Sequence, residues 1–330
     1  MSSPPILYER DAPLDALSGR TVAVIGYGSQ GHAHALNLRD SEVRVIVSNR
    51  KDSPNGHRAG VDGFELLSKS DAVQQADLII LATPDEVQPD LYAKHIVPII
   101  APGKAVGFIH GLNIHYRFIV PGKDIDVIMV APKGQGDMMR RQFQHGRGVP
   151  ALVAIHQDAT GNARNLALAW ARGIGAARAG IIQTTFKDEC ETDLFGEQAV
   201  LCGGLTELIK AGFDVLTNAG YPPEIAYFEC VHELKLIVDL IHRNGIAGMR
   251  RRISSTARYG SLTRGPRVIG PDVRETMRQV LLEITDGRFA EEWRNGAGAI
   301  APLVSAEENH PVEIVGKSLR NSMPWLAEES

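Results

Sequence analysis

The sequence predicts an α/β domain over residues 1–183 followed by an all-helical domain over residues 184–330. Three observations carry that prediction. Short apolar runs alternate with helical patterns as far as Gln183. A glycine-rich turn joins the first of these runs to the first helical pattern. After Phe186 the strand pattern stops. Strands covered on both faces read as continuous apolar runs, as these do, whereas a helix shows its apolar residues at a period near 3.6.

Composition sets the outer bounds. At 44% hydrophobic and 22% charged residues, the 330-residue chain is an ordinary globular one, long enough for two domains. A net charge of −4 with no long basic tract gives no electrostatic reason to expect a nucleic-acid partner. Cys190, Cys202 and Cys230 are odd in number and form no C-x-x-C. A disulfide framework is therefore not expected, and a reducing, cytoplasmic location is. Residues 1–19 lack the charged and apolar regions of a secretory signal, and no run approaches 18 apolar residues. No membrane span is expected.

Residues 22–25 form the first strand, Gly26-Tyr27-Gly28-Ser29-Gln30-Gly31 follows, and Ala33, Ala35, Leu36 and Leu38 begin a helical pattern. Between strand and helix, a G-x-G-x-x-G turn reads as a Rossmann-like dinucleotide site. Gly26 makes the tight turn, Gly28 lets a pyrophosphate approach the backbone, and Gly31 lets helix pack on strand. The phosphates would rest on the helix N-terminus. The second strand, 43–47, runs into Ser48-Asn49-Arg50-Lys51-Asp52-Ser53. An acidic residue at the strand end would favour NAD. Here Arg50 and Lys51 can neutralise a 2′-phosphate and Ser53 can donate to it, so NADPH is favoured, the alternative being a plain solvated loop.

Further strands are predicted at 77–82, 106–109, 125–131, 151–155 and 180–183, with a helix over 163–171. Thr83-Pro84-Asp85 follows the third strand, at a possible helix start. His110 follows the fourth and Lys133 the fifth. Ligands of open α/β sheets bind beyond the carboxyl ends of the strands, which makes His110 and Lys133 candidates by position. Either could equally be a loop residue without a chemical role. Arg140, Arg141, His145 and Arg147 read as a solvated loop.

The second half opens with a helix over 187–219, broken near Gly203-Gly204 and again at Gly212. Pro222-Pro223 interrupts the chain, residues 224–242 form a long apolar helix, and 272–286 another. The segments 197–219 and 224–242 are too apolar for surface helices and are expected in a core or a subunit interface. The tail 308–326 is too apolar at its end to be simply disordered. Asp193 and Glu197 are four residues apart, as are Glu229 and Glu233. On a helix that spacing puts each pair on one face. Four carboxylates without a histidine pair suit a hard cation such as Mg²⁺ or Mn²⁺ better than zinc. Two solvated helix faces are the alternative.

With these residues in place, the chain resembles ketol-acid reductoisomerase (acetohydroxy-acid isomeroreductase) in its short, class I form. The resemblance runs through GYGSQGHAHALNLRDS (26–41), HGLNIH (110–115), APKGQG (131–136), GRGVPALVAIHQDATG (146–161) and TTFKDECETDLFGEQAVLCGG (184–204). It continues through EIAYFECVHELKLIVDL (224–240), RRISSTARYG (251–260) and HPVEIVGKSLR (310–320). It implies a Rossmann-like domain followed by a knotted all-helical one, paired as a homodimer or a larger assembly of dimers. It implies 2-acetolactate and 2-aceto-2-hydroxybutyrate as substrates, on the routes to valine and isoleucine, with NADPH and two Mg²⁺ as cofactors. Asp193 and Glu197 of one chain would hold metal with Glu229 and Glu233 of its partner. Ser254, also from the partner, would touch the substrate carboxylate. His110, Lys133 and Glu233 would serve the chemistry. Gly26, Tyr27, Gly28, Ser29, Gln30, Gly31, Arg50, Ser53, Asp85 and Gly136 would contact the dinucleotide. The chain departs from the family pattern over 241–245, at Arg258 where a glutamate is usual, and in the loop 48–56.

Overall fold

A computed structural model of the protein describes residues 4–296 and 300–323, so residues 324–326 of the apolar tail lie outside the described residues. The chain divides into two compact units, Met1–Thr192 and Asp193–Ser330.

Eight strands build one sheet in the first unit: β1 (Ile6–Leu7), β2 (Thr21–Ile25), β3 (Arg44–Ser48), β4 (Leu78–Leu81), β5 (Ala105–Phe108), β6 (Asp126–Pro132), β7 (Ala151–Gln157) and β8 (Ile181–Gln183). Their order is β1-β8-β7-β6-β5-β4-β2-β3. From β3 to β6 all neighbours are parallel. β7 runs antiparallel to β6, β8 parallel to β7, and the two-residue β1 closes the edge antiparallel to β8. The chain winds outward from β2 in both directions, so the strand order reverses there. That reversal opens a crevice at the carboxyl ends of β2 and β4.

Alternate residues of the central strands feed two cores, one on each face of the sheet. Val22, Val24, Leu78, Ile80, Ile128 and Val130 join one, under the helices Ser29–Asp40 and Ala163–Gly173. Ala23, Ile25, Ile79, Leu81, Val127 and Met129 join the other, with Ala72 and Val73 of the helix Lys69–Gln75. The continuous apolar runs in the sequence are thus two interleaved period-2 patterns.

The first core holds a histidine. His34 is fully buried, and its Nδ1 accepts a hydrogen bond from Trp170 Nε1 at 2.9 Å. Burial pushes its pKa down to about 3, so the folded chain keeps the ring neutral. The unfolded chain takes up a proton as pH falls below the ordinary value of about 6.5. The sign follows: this site is neutral to stability above about pH 6.5. It costs up to about 1.4 kcal/mol per pH unit as pH falls from there toward 3. Urea midpoints between pH 7 and pH 5 should therefore drop more steeply for wild type than for His34→Gln. Parallel slopes would show that His34 does not resist protonation in the folded state.

The described residues of the second unit form helices joined by short turns, with no strand among them: Gly203–Asn218, Pro223–Tyr227, Glu233–Arg250, Ser255–Val268, Pro271–Thr285, Arg288–Gly296, Ile300–Glu308 and Pro311–Asn321. The expected break at Gly212 is absent. Gly212 lies inside the continuous helix Gly203–Asn218, where a Cβ would come within 3.3 Å of Cys230 Sγ. The glycine there serves close helix packing, not a turn. The break near Gly203 is real but takes the form of a π turn, Glu197–Leu201. A second π turn, Phe228–His232, interrupts the expected long helix, which then continues to Arg250. Within it Gly245 takes φ 69° and ψ 170°, a local break inside the segment that departs from the family pattern. The helices expected in a core or an interface leave Val200, Leu201, Leu208, Val215, Leu236 and Val238 exposed on the single chain.

Candidate active site

The crevice predicted by topology is a cleft of about 620 Å³. Ile25, Gly26, Tyr27 and Gly28 line it from the end of β2. Ser48, Asn49 and Arg50 come from the end of β3, and Ala82, Thr83 and Pro84 from the end of β4. Gly26 has φ 103°, and a Cβ on it would fall 2.5 Å from Ala82 O. No side chain fits that turn, and the backbone stays open to a ligand. The volume and the glycine turn fit a nicotinamide dinucleotide.

The other expected cofactor contacts sit as follows. Tyr27 is 1% exposed and donates its hydroxyl to Asp62 Oδ2 at 2.8 Å, so only its backbone belongs to the turn. Ser29 opens the helix Ser29–Asp40, and Gly31 packs against Gly26 O. Gly136 packs against Ser29 O, and Gln30 Nε2 donates to Gly134 O at 2.9 Å. Gln30 thereby ties the glycine turn to the loop that carries Lys133. Ser53 caps the helix Pro54–Val61 by accepting from Gly56 N at 3.1 Å, and donates to Arg50 O at 2.7 Å. Its hydroxyl shapes the loop that presents Arg50. Asp85 Oδ1 accepts from Gln88 Nε2 at 3.1 Å, and Asn113 Nδ2 donates to Asp85 O at 3.0 Å. Lys69, from the next helix, also lines the cleft and escaped the sequence reading, since nothing in a lone helix-start lysine marks it.

His110 and Lys133 converge, as their positions after β5 and β6 predicted. What joins them is Glu189, which is 1% exposed. Its Oε2 lies 3.0 Å from His110 Nδ1 and accepts Gly111 N at 3.0 Å, while Oε1 accepts Lys133 Nζ at 2.9 Å. A Cβ on Gly111 would fall 2.6 Å from Phe186 O, so only glycine lets this loop reach the helix Phe186–Gly196. Burial opposes charge on His110, but its hydrogen bonds with Cys190 and Glu189 and the Glu189 charge outweigh it and raise the ring's pKa. Burial likewise opposes ionisation of Glu189. The His110 hydrogen bond and charge, then Lys133, hold its carboxyl below the usual range. The result is an imidazolium and an ammonium clamped on one buried carboxylate, two cationic donors fixed at the edge of the sheet. Such donors suit an oxygen that gains negative charge during a reaction.

Glu189 was missed in the sequence. It stands four residues before Asp193, as Asp193 stands before Glu197, but that spacing alone does not separate a buried carboxylate from a solvated helix face.

Asp193 lies in the helix Phe186–Gly196, Glu197 and Glu229 lie in the two π turns, and Glu233 begins the next helix. The spacing of four therefore does not run through uninterrupted α-helix. π turns recur at functional sites because they re-aim a side chain by one position. On the single chain Glu197, Glu229 and Glu233 are exposed. No three of the four carboxylates converge to within 4.8 Å among the described residues. Ser254 is exposed and caps the helix Ser255–Val268, accepting from Ala257 N at 3.1 Å. Arg258 Nε donates back to Arg250 O at 2.9 Å, across the same turn.

Residues 16–180 match the family described as acetohydroxy acid isomeroreductase, NADPH-binding domain, and residues 186–325 match ketol-acid reductoisomerase, C-terminal domain. Among solved structures, the chain is similar to an NADH-preferring ketol-acid reductoisomerase from an uncultured archean. The two are 45% identical with a TM-score of 0.93, over 96% of this chain and 98% of that one. A semialdehyde dehydrogenase NAD-binding protein from Cupriavidus necator shares 20% identity and a TM-score of 0.58, over 79% of this chain and 99% of that one. A 1-pyrroline-5-carboxylate reductase from Streptococcus pyogenes shares 15% and 0.51, over 81% and 98%. These two likenesses show the fold alone. A dinucleotide cleft, a buried carboxylate holding a histidine and a lysine, and two family matches spanning both units converge on one conclusion: the chain belongs to the ketol-acid reductoisomerase family, in its short form, and is a nicotinamide-dependent oxidoreductase of branched-chain amino acid biosynthesis.

Proposed function

We propose that the protein converts 2-acetolactate or 2-aceto-2-hydroxybutyrate into the corresponding 2,3-dihydroxy acid, using NADPH and two Mg²⁺. The observation that carries the reading is the Glu189 clamp on His110 and Lys133, at the sheet edge that also forms the dinucleotide cleft. The tertiary hydroxyl loses its proton as an alkyl group moves to the neighbouring carbonyl carbon, whose oxygen gains a proton. The ketone so formed then accepts a hydride and a second proton. His110, whose pKa Glu189 raises, and Lys133, anchored on the same carboxylate, hydrogen-bond the oxygens that carry charge through these steps.

The metal assignment rests on donor chemistry. Asp193 and Glu197 of one chain with Glu229 and Glu233 of a second supply four carboxylate ligands and no nitrogen, which fits a hard cation. The exposure of Glu197, Glu229 and Glu233, together with the apolar side chains left exposed on the same helices, supports a composite site in a dimer. When bound, the two ions would lower the hydroxyl pKa and polarise the carbonyl. Ser254 of the partner would meet the substrate carboxylate. NADPH consumption with 2-acetolactate, followed with Mg²⁺ and with excess chelator, tests the reading. Turnover that survives the chelator would overturn the metal assignment, and no turnover in Mg²⁺ would overturn the substrate.

The cofactor preference rests on Arg50, with Lys69 in the same cleft. A 2′-phosphate gains charge-assisted hydrogen bonds there worth about 1.5–3 kcal/mol each before desolvation. The similar archaeal enzyme is NADH-preferring, so the ratio of kcat/KM for the two coenzymes is the deciding quantity. The expected ratio favours NADPH and falls about tenfold or more in Arg50→Ala. A wild-type ratio at or below one, or a ratio unchanged in the variant, returns residues 48–53 to plain solvated loop.

A further inference from the structure

A second cleft, of about 550 Å³, opens in the first unit away from the dinucleotide site. Its floor is apolar: Ile114, Ile119, Ile155 and Phe186. Its other lining groups include His115, Arg117, His156 and Lys187, and no acidic residue lines it. Glu191, behind the wall, pairs with His115 Nε2 at 3.1 Å and with Lys187 Nζ at 3.6 Å. Arg117 has no ion pair or side-chain hydrogen bond among the described residues.

Arg117 is also strained. It has φ 58°, one of two non-glycine residues with positive φ among the described residues. A side chain with a Cβ takes that conformation at a cost, and a glycine would sit there without one. Arg117 stands just past the helix Leu112–His115 with its N–H on Ile114 O at 3.2 Å, so this left-handed residue ends the helix and presents an exposed guanidinium at a cleft that no acidic residue lines. His156 reports the same imbalance: burial, then the Arg117 charge, lowers its pKa.

We infer that this cleft binds a small organic acid, its carboxylate on Arg117 and its apolar body against Ile114, Ile119, Ile155 and Phe186. The guanidinium fork matches a carboxylate in two parallel hydrogen bonds, which a lysine would not reproduce. His156, edge-on to Phe186 at 5.7 Å, also lines the cleft. The cleft's size lies within the range of small-molecule sites and far exceeds what an inorganic anion fills.

The test is calorimetric titration of the full-length protein, loaded with Mg²⁺ and NADPH, with benzoate and separately with inorganic phosphate. Saturable benzoate binding at one per chain is expected, weakened at least tenfold in Arg117→Gly and partly retained in Arg117→Lys. Glycine relieves the backbone at this position, so the variant should fold and keep the wild-type kcat with 2-acetolactate. Equal benzoate affinity in wild type and Arg117→Gly, or no saturable binding, would overturn the site. Phosphate binding as tightly as benzoate would overturn the role of the apolar floor.

Discussion

Glu189→Gln is expected to fold and to lose about 10²- to 10⁴-fold in kcat, the range of a misplaced acid–base group. Glutamine keeps the shape but removes the charge that raises the His110 pKa and anchors Lys133. Glu189 acts through those two side chains, as a positioning residue. Its loss should therefore move the pH profile as well as the rate. Without the carboxylate, two of the influences that raise the His110 pKa are gone, and burial, opposed by the Cys190 contact, moves the ring toward its neutral form. The variant's kcat should fall as pH rises through neutrality, where wild type stays flat. Glu189→Asp, which restores the charge on a shorter stem, should recover part of kcat and the flat profile. Breaking a buried pair from one side costs about 3–5 kcal/mol, discounted here because the Lys133 side chain is 35% exposed and partly screened by water. A kcat within threefold of wild type, with an unshifted profile, would reduce the clamp to a structural pairing.

That clamp also shows where sequence reading succeeds and where it stops. His110 and Lys133 were legible because strand ends are legible: apolar runs locate β5 and β6, and the residues just beyond them face the ligand edge. Glu189 was not, because a carboxylate in a helix reads as solvated until the fold brings a loop onto it. Here Gly111, through its missing side chain, lets the loop do so. The dinucleotide turn was legible for the same reason as the strands, being local. Ser53 illustrates the opposite. Its sequence position suggests a phosphate contact, while its hydroxyl is engaged in capping the helix Pro54–Val61 and bonding Arg50 O. Strand β1 was invisible because two residues carry no period. In the helical unit the periodicity gave helices but not their irregularities. The π turns at Glu197–Leu201 and Phe228–His232 each put one extra residue into a helical turn, which no α-helical template contains. Apolar helices that read as buried are exposed on the lone chain, because the sequence records a need for cover and not its source.

On the proposed metal assignment, Glu233→Gln should cost the most: a loss of alkyl migration of at least about 10³-fold, since the amide would keep the side-chain volume and remove one negative ligand from the two ions. Reduction of a preformed 3-hydroxy-2-keto acid should fall with it, because both steps use the same ions. Glu233 is exposed at the start of the helix Glu233–Arg250, so the thermal midpoint should stay near wild type. Mg²⁺ titration should show weakened binding, a readout that a merely structural role would leave unmoved. The proposed composite site gives a sharper consequence. An Asp193→Ala chain and a Glu233→Gln chain should each be inactive alone. In a mixed dimer, one of the two sites receives Asp193 and Glu197 from the second chain and Glu229 and Glu233 from the first, all intact. Random exchange makes about half the dimers mixed, each with one working site, so about a quarter of wild-type activity should return. If proven mixed dimers stay inactive, each chain supplies its own four carboxylates and the exposed acids of this chain must close on one another. If Glu233→Gln keeps near-normal rates on 2-acetolactate, Glu233 holds no metal at all.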